Sequence, residues 1–277
     1  MLNLIAQGPA MTARQADELG QLASSARIEA LSSHAYRLHN ATRTTAIETY
    51  CEQKHIDYAF MRDGLRFSDL KLLAMDMDST LITIECIDEL GDLAGCKTEI
   101  AGITAQAMRG ELDYPQSLRK RVGLLAGLAE TSLNRVYEER LRLTPGAEEL
   151  LGACKQHGVK LLLVSGGFTF FTDRLKQRLG IDYTISNRLE AKDGKLTGKV
   201  LGDIVDADAK AAKFRAVMAE LGAKREETVA IGDGANDLRM MAESGVSVAF
   251  HAKPVVRAQA SCAISWSGLD AVVNLFE

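Results

Sequence analysis

The 277-residue sequence predicts an α/β fold: a Rossmann-like parallel sheet with helices on both faces, an inserted helical cap, and a small α+β accessory domain at the N-terminus. Three observations predict it. From about residue 72 onward, short apolar runs alternate with longer helical patterns, as they do where a parallel sheet is buried under crossover helices. Three of these runs, KLLAM (71–75), KLLLV (160–164) and TVAI (228–231), are each followed at once by small or acidic residues: Asp76-Met77-Asp78, Ser165-Gly166-Gly167 and Gly232-Asp233-Gly234. The stretch 85–157 between the first two runs is too long for one crossover helix.

Taken in order, NLIAQ, a helix over about 12–23, two extended pieces near 27–38, a helix near 42–54 and IDYAF give a β-α-β-β-α-β unit over residues 1–66. Residues 67–84 and 147–277 form the core. Between them, 85–146 reads as a cap rich in helix formers, for example QSLRKRVGLLAGL and SLNRVYEERL, ending near Thr144-Pro145-Gly146. NRLEAKDGKLTGKV carries an Asp193-Gly194 turn between two strand-like arms, which predicts a hairpin. VSVAF and CAISW read as two further strands separated by a helix.

Composition excludes several classes. The 47% hydrophobic and 25% charged fractions are ordinary for a globular protein, and no apolar run approaches the ~20 residues that cross a bilayer. The start, MLNLIAQGPAMTARQ, has no basic stretch leading into a long apolar segment, so a cytoplasmic location is expected. Cys51, Cys86, Cys96, Cys154 and Cys262 are scattered without a C-x-x-C, against both a disulfide framework and a zinc site. With net charge −4 and no cationic tract, there is no nucleic-acid footprint, and a small molecule is the expected partner. The sequence does not fix the oligomeric state, so a homodimer stays open. No Walker-type G-x-x-x-x-G-K-[ST] occurs, which excludes a P-loop kinase.

The strand ends carry the chemistry. In an open parallel sheet the ligand crevice lies beyond the carboxyl ends of the strands, so the three clusters converge there. Asp76 and Asp78, two apart in extended chain, project to one side, and two carboxylates in one small volume require a compensating cation or a shared proton. Magnesium fits, with Asp233 at another strand end as a further ligand.

DMDSTLITIECIDEL (76–90), VSGG (164–167) and GDGANDLRMM (232–241) resemble the signature segments of haloacid dehalogenase-like (HAD) phosphatases. The D-x-D-S-T…E-x-I-D-E form, together with QSLRKRV, is similar to the phosphoserine phosphatase family, over about residues 72–275. The resemblance implies a HAD core that hydrolyses O-phospho-L-serine, the last step of serine biosynthesis. By it, Asp76 is the nucleophile that forms an aspartyl-phosphate and Asp78 the general acid and base. Mg²⁺ is held by Asp76, the Asp78 backbone carbonyl and Asp233, with Asp237 in support.

The same resemblance implies a phosphoryl grip by Ser165 and Gly166, supported by Gly167, with Asn236 among the substrate-binding residues. Lys210 matches the family's lysine, 23 residues before Asp233, and by the resemblance would bind substrate by pairing with its phosphate, with Lys213 as the competing candidate. Glu85 would accept the substrate ammonium and Arg121 its carboxylate, Arg119 being the nearest alternative on the same helix. Tyr114 stands where the family often carries phenylalanine, and Met108 is a further supporting residue. Two other readings stay open: a HAD phosphatase or phosphotransferase for another small phosphomonoester, and an amino-acid sensor built on residues 1–66.

Overall fold

The computed structural model describes residues 1–277. At the N-terminus, β1 (Leu2–Gln7), α1 (Ala13–Leu22), β2 (Arg27–Ser32), β3 (Ala35–His39), α2 (Thr45–Lys54) and β4 (Asp57–Arg62) follow one another in the expected order. The four strands form an antiparallel sheet in the order β2-β3-β1-β4, the ferredoxin-like arrangement of a split β-α-β unit. β1 is buried from Asn3 to Gln7 because it is covered on both sides. Leu4 and Ala6 pack with Leu19 and Ile47 beneath α1 and α2, whereas the alternate residue Ile5 joins the large core of the rest of the chain. Thr12 starts α1 with a reciprocal capping box to Gln15.

The second sheet has seven strands. β5 (Leu72–Asp76), β6 (Lys160–Phe168), β7 (Tyr183–Lys192), β8 (Lys195–Leu201), β9 (Thr228–Gly232), β10 (Val246–Phe250) and β11 (Cys262–Ile264) lie in the order β11-β10-β9-β5-β6-β7-β8. All neighbours are parallel except β7 and β8, which form the predicted hairpin. Asp193 (φ 53°) and Gly194 (φ 73°) both take the left-handed backbone that a tight hairpin turn requires. β11 is shorter than CAISW promises, because the N–H groups of Ser265, Trp266 and Ser267 turn away to the buried carboxylate of Asp57.

Helices cover both faces. Leu72, Ala74, Leu162, Val164 and Ala230 pack on Phe214 and Val217 of α9 (Ala207–Leu221) and on Met240 and Met241 of α10 (Leu238–Glu243). The alternate residues Leu73, Met75, Leu161, Leu163, Val229 and Ile231 face the larger cluster, to which α7 (Ala147–His157) and α8 (Thr169–Leu179) contribute. This two-sided burial is why the strands read as unbroken apolar runs. No helix is long and apolar enough to cross a membrane.

The cap comprises α3 (Cys86–Leu93), α4 (Lys97–Met108), α5 (Tyr114–Gly123) and α6 (Thr131–Arg135), the last continuing into a π-helical turn at Val136–Arg140. Its two connections to the core run side by side: Thr83 N donates to Arg142 O (3.0 Å) and Thr144 N to Leu81 O (3.0 Å). The β7–β8 hairpin supports the cap from below, through Gly127 N to Leu196 O (2.8 Å), Leu196 N to Leu128 O (2.9 Å) and Glu130 N to Gly194 O (2.9 Å).

Candidate active site

Asp76 is the last residue of β5 and is buried. One of its oxygens accepts from Met77 N (2.7 Å) and the other meets Lys210 Nζ (2.9 Å). Lys210, on α9, has no exposed surface and also donates to Asp237 Oδ1 (2.8 Å). Asp233, just beyond β9, accepts from Thr80 Oγ1 (3.2 Å). Carboxylate oxygens of Asp76, Asp233 and Asp237 lie within 4.8 Å of one another. The distant segments therefore meet as the strand-end rule requires. The Asp78 carboxylate stands outside this group, held by Cys86 N (3.0 Å) at the start of α3, while Asp237 is a full member of it.

The electrostatics follow from crowding. Burial, then Asp237, pushes the Asp76 carboxyl well above its ordinary value, although Lys210 pulls the other way. Burial opposes charge on Lys210 as well, but Asp237 and Asp76 outweigh it and raise the ammonium's pKa. One lysine thus cannot neutralise both acids it touches. Burial raises Asp78 against the N–H bond from Cys86, and burial with Asp78 raises Glu85 to about 7. Asp233 is pushed up to about 6 by burial, Asp237 and Glu85. A surplus of buried oxygen anions with only hard donors is the environment a divalent cation fits, and Asp76, Asp233 and Asp237 could hold it.

Above these acids lies a cavity of about 140 Å³. The cap supplies Glu85, Ile87, Tyr114, Leu118 and Arg121, and the core supplies Asp76, Asp78, Gly166, Gly167, Phe168, Asp233 and Asn236. Glu85 accepts from Ser79 Oγ (2.7 Å), a residue held at φ 57° so that the chain can turn back toward the cap. Arg121 faces the cavity with a buried Nε that has no partner. An unmatched guanidinium donor in a ligand-sized space is a demand for an acceptor that the chain does not itself supply.

The remaining predicted residues sort clearly. Ser165 is buried directly behind the glycines, its Oγ accepting from Gly167 N (2.8 Å), and does not itself line the cavity. Lys210, not Lys213, is beside Asp76; Lys213 lies over the ring of Tyr183. Arg121 lines the cavity, whereas Arg119 is exposed to solvent. Tyr114 OH donates to Gly166 O (3.0 Å), and a side chain at Gly166 would overlap that hydroxyl. Met108 is corrected: the last residue of α4, it is 64% exposed, with its sulfur beside Lys253 Nζ and not at the cavity. Of the residues that sequence reasoning missed, Thr80 sits inside the D-x-D-S-T segment and was findable there. Ile87, Leu118 and Phe168 look like ordinary core positions in the sequence.

A family model for haloacid dehalogenase-like hydrolases matches residues 73–242, and one for a domain of unknown function matches residues 4–46. A phosphoserine phosphatase of Polaromonas is 56% identical over 216 residues, covering 76% of this chain and 92% of its own length. The chain belongs to the haloacid dehalogenase-like hydrolases, in their phosphoserine phosphatase branch. Likeness of fold extends further than likeness of sequence. The unliganded structure of a probable phosphoserine phosphatase from Vibrio cholerae matches with TM-score 0.86 and 39% identity, over 99% of this chain and 85% of its own. A HAD family hydrolase from Salmonella enterica matches with TM-score 0.88 and 32% identity, over 100% of this chain and 98% of its own. The small N-terminal sheet is therefore part of what these structures share with it.

Proposed function

We propose that the chain hydrolyses O-phospho-L-serine to serine and phosphate through an aspartyl-phosphate on Asp76. The observation that carries this reading is one small cavity joining an acid cluster to the unpartnered guanidinium of Arg121 and the carboxylate of Glu85. With a divalent cation between its carboxylates the acid cluster would suit a phosphoryl group, and the Glu85–Arg121 pair suits the ammonium and carboxylate of an amino acid. The 56% identity to a phosphoserine phosphatase points the same way.

In this reading Asp76 attacks phosphorus and the P–O bond to serine breaks. Asp78, whose carboxyl burial pushes above its ordinary value, delivers a proton to the departing alkoxide. It then takes a proton from the water that cleaves the acyl phosphate, returning Asp76 and releasing phosphate. Lys210 fixes the Asp76 carboxylate in place. Asp76, Asp233 and Asp237 would hold Mg²⁺, which when bound supplies neutralisation of phosphoryl charge. Tyr114, Leu118, Ile87 and Phe168 give the cavity its apolar lining beside the acids.

The test is phosphate release across a panel of phosphomonoesters with Mg²⁺. L-phosphoserine is expected to be preferred, and Asp76→Asn to abolish turnover. A marked preference for an ester without amino and carboxylate groups would remove the Glu85 and Arg121 assignments, and transfer to an added alcohol in place of water would make the chain a phosphotransferase.

A further inference from the structure

We propose that Asn187 is a positioning residue for this reaction: with Tyr114 it clamps the Gly166 carbonyl and so directs the hydroxyl of Ser165 toward the phosphoryl group. The proposal rests on the reading of Ser165 as a phosphoryl donor, and its starting point is an irregularity in the sheet. β6 and β7 pair at Val164↔Ile185 and next at Phe168↔Asn187, so three residues, Ser165-Gly166-Gly167, bulge out of the ladder. A bulge leaves its backbone groups without ladder partners, and a buried carbonyl must find another donor.

Asn187 stands at the rung that closes the bulge and is 1% exposed. Its Nδ2 donates to Gly166 O (2.8 Å), while its Oδ1 accepts from Val205 N (2.8 Å), which fixes the amide's orientation. Tyr114 OH donates to the same carbonyl at 3.0 Å from the cap side. Burial pushes the Tyr114 hydroxyl up to about 12, so it stays protonated and donating. Both lone pairs of the Gly166 oxygen are thus taken, one by the core and one by the cap.

The consequence passes through the peptide plane. In a trans peptide the carbonyl of Gly166 and the N–H of Gly167 point in opposite directions, so pinning the oxygen aims the N–H. That N–H donates to Ser165 Oγ (2.8 Å), which makes the serine oxygen the acceptor in this bond and leaves its own proton to give away. A Cβ on Gly167 would stand 3.0 Å from Ser165 Oγ and 2.6 Å from Asp78 Oδ2, a residue that lines the cavity, so the missing side chain leaves the buried hydroxyl close to it. The clamp therefore sets both the direction and the polarity of the phosphoryl contact.

A positioning role through Ser165 has a signature that a merely structural role lacks: its effect disappears when Ser165 is removed. With the full-length Mg²⁺-loaded protein, Asn187→Ala is expected to lower kcat/KM about thirtyfold for both L-phosphoserine and p-nitrophenyl phosphate, within the hundredfold that a ~1 Å misplacement costs. It is also expected to weaken inhibition by inorganic phosphate. In a Ser165→Ala background the same substitution should cost less than about threefold. Equal losses in both backgrounds, or full activity of Asn187→Ala, overturn the proposal. If Asn187→Ala does not fold, Tyr114→Phe decides, because it removes one donor and keeps the ring: about a threefold loss is expected with Ser165 and none without it, and an equal loss in both is contradictory. p-Nitrophenyl phosphate and inorganic phosphate read the clamp without serine recognition. A chain that rejects phosphoserine yet shows this coupling fails the earlier reading and not this one.

Discussion

Lys210 is the residue on which the charge balance turns. Its ammonium is enclosed between Asp76 (2.9 Å) and Asp237 (2.8 Å), and removing one partner of a buried ionic group leaves the others uncompensated, at about 3–5 kcal/mol. Lys210→Ala should lose roughly that much stability in EDTA by urea titration and recover part of it in Mg²⁺, since a cation can take over some of the charge. Asp233 gives a second prediction. Its carboxyl, pushed up to about 6, must be ionised to ligate, so Mg²⁺ affinity should fall as pH drops from about 7 through 6, with proton release on binding near pH 6. Calorimetry in buffers of different ionisation enthalpy reads both; an affinity flat across that range would contradict the assignment. A third concerns Glu85, raised to about 7. A carboxyl whose folded pKa exceeds its unfolded value favours the fold when protonated, and that contribution is lost as pH rises toward and through 7. Metal-free Glu85→Gln should therefore gain in melting temperature relative to the wild type between pH 5 and 8. At this scale the sequence was legible where residues sit in short segments at strand ends, as Asp76, Asp233 and Ser165 do. Asn187 was not, because its role depends on a bulge in the neighbouring strand that no local pattern announces.

Among the elements, the β7–β8 hairpin does two jobs. It closes the edge of the sheet, and through Leu196 and Gly194 it carries the cap loop at Gly127–Glu130. Gly198 on β8 lies at φ 81° with its missing side chain's place only 2.9 Å from Ala126 Cβ and 3.2 Å from Gly123 O. Gly198→Ala combines left-handed strain with a displaced α5, so a stability loss of about 1–3 kcal/mol is expected, with a KM increase because Arg121 and Tyr114 ride on that helix. Calorimetric melting and steady-state kinetics check it; unchanged KM would mean the cap does not lean on the hairpin. The Asp193-Gly194 turn made this hairpin readable in advance. The π-helical turn at Val136–Arg140, which packs against α3, was not, since SLNRVYEERL keeps helical periodicity throughout.

Across the whole molecule, the two sheets are joined by buried polar contacts as well as by apolar ones. Asp57 at the start of β4 accepts from Ser265 N (2.6 Å), Trp266 N (3.2 Å) and Ser267 N (2.8 Å), and Arg37 and Gln7 reach the carbonyls of Phe276 (2.5 Å) and Ala271 (3.0 Å). Partners more than two hundred residues apart explain why the sequence revealed the N-terminal unit's element order and not how it docks. Asp57→Ala orphans three N–H groups in a buried joint and should cost at least about 1–3 kcal/mol, loosening the unit so that proteolysis near residues 62–66 quickens before the core itself is cut.

Everything at the larger scales serves one arrangement, acids from separate strands gathered around the Asp76 carboxylate, where they could hold a cation. Rapid acid quench of the Mg²⁺-loaded chain during turnover of L-phosphoserine, followed by mass spectrometry of its peptides, tests it most directly. A phosphoryl adduct on the peptide bearing Asp76, absent from Asp76→Asn and from Mg²⁺-free samples, is the expected result. Steady phosphate release with no adduct there, or with the adduct on another residue, would contradict the account.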